Sequence, residues 1–227
     1  MALYLYAVLA EPPRRGRRLR GIRREALRGV PAAGVLVVAG SVATAPGVSM
    51  ANLRAHDAVV RRLAAVSTAL LPVRFGTVVA DARELRRLLA PRSTELRAAL
   101  ARVAGREQMT LRIATAPDVT VPVPRPPAGT GRGARYLVRR AREAATPGIA
   151  ALRGALRRLV RDERVERHGA PPFVASVYHL VDRGQGAAYR AAARGAARRT
   201  PGLRVRVSGP WAPYAFTPDV LDVEGPG

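Results

Sequence analysis

The stretch LLPVRFGTVV, residues 70–79, decides the fold of the N-terminal half of this chain. Its apolar and β-branched residues favour a buried strand. Pro72 lacks an amide hydrogen and fixes the backbone where that strand starts, and Gly76 follows Phe75 inside the run. The stretch therefore predicts one buried strand, with a glycine inside it.

Arg74 is the one charged residue in this stretch. In a strand its side chain alternates with those of Val73 and Phe75 across the pleat. An arginine in such an apolar strand must pair with a carboxylate or with carbonyl oxygens, or lie on an exposed face. Asp57 and Glu84 are the candidate partners. Arg74 therefore either holds the fold through a salt bridge or contacts a partner chain.

The segment before this strand, NLRAHDAVVRRL at residues 52–63, predicts an amphipathic helix. Asn52 is a suitable N-cap, and apolar residues recur behind it at helical spacing while arginines take the opposite side. His56 lies inside the apolar stripe, next to Asp57. We interpret His56 as an imidazole at the edge of the core that is hydrogen-bonded to a neighbour.

The remaining elements of the N-terminal half alternate between strands and helices, as apolar periodicity and capping residues indicate. Together with the helix and strand above, they predict a β-β-α-β-α-β domain over residues 1–116 that is ferredoxin-like. The added elements are a strand over 3–9 with tyrosines at positions 4 and 6, a basic loop over 11–31, a strand over 35–42, helices that begin at Asp81 and Ser93, and a strand over 109–113.

Residues 117–133 contain five prolines and three glycines, which predicts a linker between two domains. Residues 134–227 then predict a C-terminal α-β-α-β domain. The fold class is therefore α+β, with two α/β sandwich domains. The C-terminal elements are a helix over 134–165, a strand over 173–181, a helix over 185–199 and a strand over 203–207.

The charge is strongly basic, because 39 basic residues face 16 acidic ones and the formal net charge is +23. Every basic residue is an arginine, and the chain is also rich in alanine, glycine and proline, which together indicate a GC-rich genome as one cause. A field of this strength attracts acidic partners and repels copies of the same chain. Binding of nucleic acid is therefore an alternative function, although the sequence has no RNP strand, KH loop or zinc finger.

The search for reactive chemistry gives no catalytic, cofactor or metal site. The chain has no cysteine, and its three histidines, at positions 56, 168 and 179, do not have the spacing of metal ligands. GxSxG, HExxH and Walker motifs do not occur. The glycines at residues 129–133 resemble a phosphate loop only superficially, because no strand precedes them. We predict that the chain is not an enzyme.

A second distinctive stretch, VSGPWAPYAF at residues 207–216, holds the only tryptophan of the chain. Its two prolines lack amide donors and stiffen the end of the last strand. Its three aromatic residues form a rigid cluster that either caps the C-terminal core or anchors an interface, and we favour the core. The residues of interest are Gly209, Pro210, Trp211, Pro213, Tyr214 and Phe216.

These stretches, together with the opening LYLYAVL and with GARYLVRR at residues 133–140, resemble the gas vesicle protein F/L family (GvpF/GvpL). The motifs stand in the family's order and extend from residue 3 to residue 216. The resemblance implies possible interaction residues at the motif positions. These are His56, Asp57, Pro72, Arg74, Phe75, Gly76, Arg135, Tyr136 and the six residues named from the second stretch.

The resemblance implies a minor structural component or assembly factor of gas vesicles, the gas-filled protein shells that give buoyancy. It implies contacts with the small hydrophobic major shell protein and with other gas vesicle accessory proteins, and no catalytic activity. We expect no specific nucleic acid and no membrane as partner. The longest mostly apolar stretch, residues 35–45, is far shorter than the roughly 20 residues of a spanning helix, and the N-terminal residues do not match a signal peptide. We therefore expect the chain in the cytoplasm, at gas vesicles.

Overall fold

The computed structural model of the chain describes residues 1–13, 19–115, 147–168, 173–200 and 202–219. The chain divides into two units, each with its own sheet and its own buried core. The first unit comprises Met1–Gln108 and Pro210–Gly227, and the second comprises Met109–Gly209.

Strand β1 is the centre of the first sheet. The strand order is β2-β3-β1-β4, and β5 also pairs with β1. Because β1 has antiparallel partners on both edges, its side chains are buried from Leu3 to Leu9. The strands are β1 (Ala2–Leu9), β2 (Leu27–Ala32), β3 (Val35–Val42), β4 (Leu70–Pro72) and β5 (Val78–Val79).

The helices of the first unit begin at side-chain caps. Ser49 Oγ accepts a hydrogen bond from the Asn52 amide at 3.1 Å, so the cap of the first helix is Ser49 and not the predicted Asn52. Asp81 Oδ1 accepts from the amides of Arg83 and Glu84, as the predicted cap should. The helices are α1 (Met50–Val66), α2 (Ala82–Leu89) and α3 (Ser93–Val103), and a 3-10 turn over Ala90–Arg92 joins the last two.

The first core lies between the sheet and the apolar stripe of α1. Helical spacing brings His56, Val59, Val60 and Leu63 to one buried face, as the periodicity predicts. Tyrosines and aliphatic residues of β1 and β3 meet this face. His56 is the one polar residue of that stripe, and a buried imidazole needs hydrogen-bond partners.

The second unit contains a β-α-β-β-α-β succession among its described residues. The strand order is β7-β8-β6-β9, so each β-α-β crossover spans one intervening strand. This is the order of the ferredoxin-like fold. The elements are β6 (Arg106–Thr115), α4 (Pro147–Leu156), β7 (Val160–Arg167), β8 (Phe173–Asp182), α5 (Gly186–Arg198) and β9 (Leu203–Trp211).

The predicted α+β class is confirmed, because the chain has two antiparallel sheets that each pack against helices. The ferredoxin-like topology predicted for the N-terminal domain is wrong for the first unit, whose described succession is β-β-β-α-β-β-α-α, and it occurs in the second unit. The units differ from the predicted domains 1–116 and 134–227, since β6 pairs in the second sheet and residues 210–219 belong to the first unit. Met109, Leu111 and Ile113 of β6 lie in the second core, which explains that pairing. The linker predicted over residues 117–133 lies outside the described residues.

Two predicted segments have a different secondary structure. Strand β2 covers the end of the loop predicted over residues 11–31 and extends one residue beyond it. Only its Val30 and Ala32 are buried, so its apolar pattern is weak. Within the helix predicted over residues 134–165, the described part is helical only as far as Leu156 and continues as β7. Arginine and glutamate dominate β7 and favour helices, but its antiparallel pairing with β8 determines the strand.

Candidate functional site

The stretch at residues 70–79 forms two short strands, β4 and β5, with a bulge between them, and not the single predicted strand. Ala7 of β1 lies opposite Pro72, and Tyr4 lies opposite Val78. Between these two pairs β1 advances by three residues, whereas the stretch opposite it advances by six. Three residues of that stretch therefore have no paired residue in β1.

Two backbone hydrogen bonds locate these extra residues. The Val73 amide donates to Tyr6 O at 2.9 Å, and the Leu5 amide donates to Thr77 O at 3.0 Å. The residues between these bonds are Arg74, Phe75 and Gly76. Gly76 has a φ of 92°, in the left-handed region that glycine adopts without strain. The RFG motif is therefore a backbone bulge in which only the glycine has this conformation.

Tyr4 and His56 hold the two ends of this bulge. His56 Nε2 lies 3.0 Å from Val73 O, and because a carbonyl oxygen only accepts, Nε2 carries the proton and donates. In the neutral ring Nδ1 is then an acceptor, and the Tyr4 hydroxyl donates to it at 2.9 Å. The Tyr4 oxygen accepts from the Gly76 amide at 3.2 Å. We call residues 74–76, held in this way by Tyr4 and His56, the clamped bulge.

Aromatic rings surround the imidazole of His56. The Tyr6 ring stacks on it with centroids 5.4 Å apart, and the Phe75 ring meets it edge to face at 5.8 Å. The imidazole is 2% exposed. Burial lowers the pKa of His56 below its ordinary value, against the opposing effects of the Val73 carbonyl and of Asp57. The neutral state that the hydrogen bonds require is therefore also the state that burial favours.

Tyr6 holds a second segment, which sequence reasoning missed. Its hydroxyl donates to Glu25 Oε1 and accepts from the Ile22 amide at 2.9 Å. A Cβ atom added at Gly21 or Gly40 would collide with the Glu25 side chain. Burial first, and then the hydrogen bond to Glu25, raises the pKa of Tyr6. In the sequence, Glu25 is the only acidic residue between Glu11 and Asp57, and it stands among arginines, which is a weak signal for this contact.

The charged motif residues near the bulge lie at the surface or in helical ion pairs. Arg74 is exposed, which is one of the two predicted placements for this side chain. Asp57 pairs with Arg61 one turn along α1, at 2.8 Å. Glu84 lies 3.6 Å from Arg87 and also accepts from the Ala80 amide.

The second motif stretch is divided between surface and core. Trp211 is 38% exposed at the end of β9, whereas Phe216 is buried in the first unit with the Arg102 guanidinium 5.4 Å from its ring centroid. Tyr214 packs against the first core, and burial raises its pKa. The aromatic residues are therefore not one cap on the C-terminal core, because Tyr214 and Phe216 pack in the first unit.

The residues at the end of this segment make further hydrogen bonds within the first unit. The Ala215 amide donates to Gln108 Oε1 at 2.9 Å. Thr217 Oγ1 lies between two carbonyl acceptors, Pro213 O at 3.3 Å and Pro72 O at 3.4 Å. Of the two prolines, Pro213 is buried and Pro210 is exposed. The segment after β9 is thus held against the start of the clamped bulge.

The second unit has its own buried histidine, His179. His179 Nε2 donates to Glu163 Oε2 at 2.9 Å, and Nδ1 faces the Tyr189 hydroxyl at 2.6 Å. The carboxylate of Glu163 also accepts from Arg153 Nη2 at 2.6 Å. The His179 bond and then the Arg153 guanidinium hold the pKa of Glu163 down, at about 2, although burial opposes them. His179 is therefore a hydrogen-bonded core imidazole.

The motif residues form two groups in the structure. His56, Phe75 and Gly76 meet at the clamped bulge, and Tyr214 and Phe216 pack on the same unit. Arg135 and Tyr136 lie outside the described residues. Among the described residues no group of histidine and acidic side chains could hold a metal ion. Within that same part of the chain, no helix combines the length and the hydropathy needed to span a bilayer.

Comparison with known proteins gives consistent matches over most of the chain. The family model "Gas vesicle synthesis protein GvpL/GvpF" matches residues 2–218. Gas vesicle protein L of Streptomyces sp. (strain CB03234) is 32% identical over 182 residues, which are 72% of this chain and 67% of that protein.

Solved structures share the fold. The crystal structure of gas vesicle protein GvpF from Microcystis aeruginosa matches with a TM-score of 0.73 and 20% identity, over 95% of this chain and 98% of that one. The GvpF crystal structure from Anabaena sp. PCC7120 matches with a TM-score of 0.73 and 19% identity, over 96% of each chain. The order of motifs, the two-unit fold and these matches agree, and the chain belongs to the GvpL/GvpF family of gas vesicle synthesis proteins.

Proposed function

We propose that this chain supports gas vesicle formation by binding the hydrophobic major shell protein, and that it does so without catalysis. The observation that carries the proposal is the family match over residues 2–218. Other gas vesicle accessory proteins are further proposed partners. The proposed location is the cytoplasm, at growing gas vesicles.

An apolar patch at the start of α1 supports this proposal. Val48, Met50 and Leu53 are 87%, 62% and 37% exposed. Met50 and Leu53 stand three residues apart on the helix and therefore lie on one side of it. We call these three residues the α1 patch. Contiguous exposed apolar patches of several hundred Å² are typical of surfaces that bind other proteins, and the proposal takes these three residues as part of one.

The α1 patch suits a hydrophobic partner for a simple energetic reason. Apolar side chains that leave water on binding contribute about 25 cal/mol per Å² of buried area. A shell subunit that exposes apolar surface before assembly would aggregate, and a cover over part of that surface would keep it available. In the proposed role, the α1 patch covers part of the apolar surface of the shell subunit until that subunit assembles.

The test replaces the apolar side chains of the α1 patch without changing charge. The variant Met50→Gln with Leu53→Gln keeps good helix formers in α1, and Ala51→Gln is the matched control in the same exposed turn. Each full-length chain is used to capture the major shell protein from nuclease-treated lysate. We expect the double variant to retain about tenfold less shell protein, and the control to retain the amount that the unchanged chain does.

The same variants are then expressed in a strain that lacks this gene. The proposal predicts normal vesicles with the control, and few or misshapen vesicles with the double variant. Normal vesicles in the strain without any copy of the gene would contradict the proposed function. Retention of an oligonucleotide with a defined site at physiological salt, without capture of shell protein, would favour the nucleic-acid alternative.

A further inference from the structure

Strand β9 forms one edge of the second sheet. In the order β7-β8-β6-β9, the described strands cover β9 only on the side of β6. The strand runs regularly from Leu203 to Ser208, and Gly209 then has a φ of 111° and its carbonyl accepts from Arg190 Nη1 at 3.0 Å. An edge strand presents backbone N–H and C=O groups that another strand can pair with.

The apolar side chains of β9 are incompletely covered. Leu203, Val205 and Val207 pack against the second core but remain half-buried. In the neighbouring β6, by contrast, Leu111 and Ile113 are fully buried. An added strand with apolar side chains on the same face would complete the cover of this edge.

The opposite face of β9 carries two arginines. Arg204 and Arg206 are both exposed and alternate with the apolar residues. Residues two apart on a strand point to the same side and are separated by roughly 7 Å. Two carboxylates at alternate positions of an adjacent strand would therefore each meet one guanidinium.

We propose that the outer edge of β9 binds an extended acidic segment of a partner protein, which joins the sheet as a fifth strand with carboxylates opposite Arg204 and Arg206. The segment has acidic residues at alternate positions and apolar residues between them. This inference does not depend on the proposed shell contact, because it concerns a different surface and a different partner chemistry.

Arg204 and Arg206 favour an acidic strand over a second copy of this chain as the partner of this edge. Arginines on an edge strand repel the same edge of a second copy, so they prevent self-pairing. They attract a strand of the opposite charge, with each opposite pair contributing about 0.2–1 kcal/mol. A nucleic acid would satisfy the guanidinium groups but offers no apolar side chains to cover Val205 and Val207. The combination of charge and half-buried aliphatic residues therefore favours an acidic peptide.

The test uses the full-length chain and a short capped peptide in which valine alternates with glutamate. Trp211 is the only tryptophan of the chain and stands at the end of β9, so its fluorescence reports occupation of this edge. We expect saturable binding that weakens at about 0.5 M salt. We also expect about tenfold weaker binding when glutamine replaces glutamate in the peptide.

The variant Arg204→Glu with Arg206→Glu should bind the peptide at least about tenfold more weakly. The matched control, Arg157→Glu with Arg158→Glu, changes the net charge equally at exposed positions before β7, at the other edge of the sheet. It should keep most of the affinity. Circular dichroism and urea midpoints establish that both variants are folded.

Three results would each overturn this inference. A peptide of the same composition with paired glutamates could bind equally well, which would mean general attraction and not strand addition. The glutamine peptide could bind equally well, which would exclude a role for the arginines. A single-stranded oligonucleotide could displace the peptide and depend on the same arginines, which would mark a general polyanion site.

Discussion

The rings of Tyr4 and Tyr6 meet edge to face with their centroids 4.9 Å apart, and each hydroxyl holds a different segment of the chain. Tyr4, with His56, holds the clamped bulge. Tyr6, with Glu25, holds the turn before β2. Residues two apart on a strand share a face, so one face of β1 positions both segments. Changes at either tyrosine should therefore affect stability and not only the local loop.

The Tyr4–His56 hydrogen bond can be measured by a double-mutant cycle. His56→Phe leaves the Val73 carbonyl and the Tyr4 hydroxyl without this partner, so we expect a loss of about 2–4 kcal/mol in the free energy of unfolding. Tyr4→Phe removes one hydroxyl and should cost about 1–2 kcal/mol. Because the two side chains touch, the double variant should lose less than the sum, by about 0.5–1 kcal/mol or more. Urea unfolding at neutral pH gives all three values, and strictly additive losses would contradict the bond.

The neutral state of His56 predicts a pH dependence of stability. Burial lowers its pKa in the folded chain, whereas the unfolded chain has the ordinary value of about 6.5. Between these two values the unfolded chain binds a proton that the folded chain does not, so the free energy of unfolding falls as the pH falls. The contribution is complete above about pH 6.5 and is lost on acidification through the lowered folded pKa.

The measurement compares urea midpoints of the unchanged chain and of His56→Phe at pH about 7.5 and about 5.5. The slope for one proton is at most about 1.4 kcal/mol per pH unit. We expect the difference between the two chains to shrink at the lower pH. The groups that face the His56 imidazole, and so act on its pKa, are the rings of Tyr4, Tyr6 and Phe75 and the carboxylate of Asp57. A constant difference would mean that His56 does not titrate in this range.

Gly76→Ala tests the left-handed backbone of the clamped bulge. An added Cβ would meet nothing within 4 Å, so the cost comes from the backbone, whose φ is 92°. We expect a loss of about 1–2 kcal/mol. Gly154→Ala is the matched control, because its Cβ also meets nothing within 4 Å but Gly154 lies in α4. That substitution should stabilise by about 0.5–1 kcal/mol, and thermal unfolding should show opposite signs for the two variants.

Local sequence patterns correctly predicted the elements whose secondary structure follows from the spacing of their own apolar residues. The helical spacing around His56 placed it on the buried face of α1, and alternation in residues 109–113 predicted a strand. The strand predicted over residues 70–79 is interrupted by a bulge, because the geometry there depends on Tyr4, a residue 72 positions away from Gly76. No local pattern carries that information, since the hydrogen bonds form only after β1 and the bulge meet.

The sequence also could not show which unit each element joins. Strand β7 has the composition of a charged helix, and its pairing with β8 overrides that preference. Residues 212–217 follow β9 directly, yet Ala212 and Tyr214 pack in the first core. Proximity along the chain suggested a cap on the C-terminal core, and the contacts that decide otherwise are far apart in sequence.

Substitutions at Trp211 and at Phe216, in the stretch at residues 207–216, should therefore lower the free energy of unfolding by different amounts. Phe216 is buried in the first unit and lies beneath the Arg102 guanidinium. Phe216→Ala removes a buried ring and should cost about 3–5 kcal/mol. Trp211→Ala removes a partly exposed side chain and should cost less than about 1 kcal/mol.

Thermal and urea unfolding of the two variants, followed by circular dichroism, give these values. An independent check is the Gln108→Ala variant, which removes the acceptor of the Ala215 amide and should lower the free energy of unfolding by about 1 kcal/mol. If Phe216→Ala unfolds at the midpoint of the unchanged chain, the segment after β9 does not contribute to the first core. A large loss from Trp211→Ala would instead mean that the exposed indole makes stabilising contacts that its surface position does not indicate.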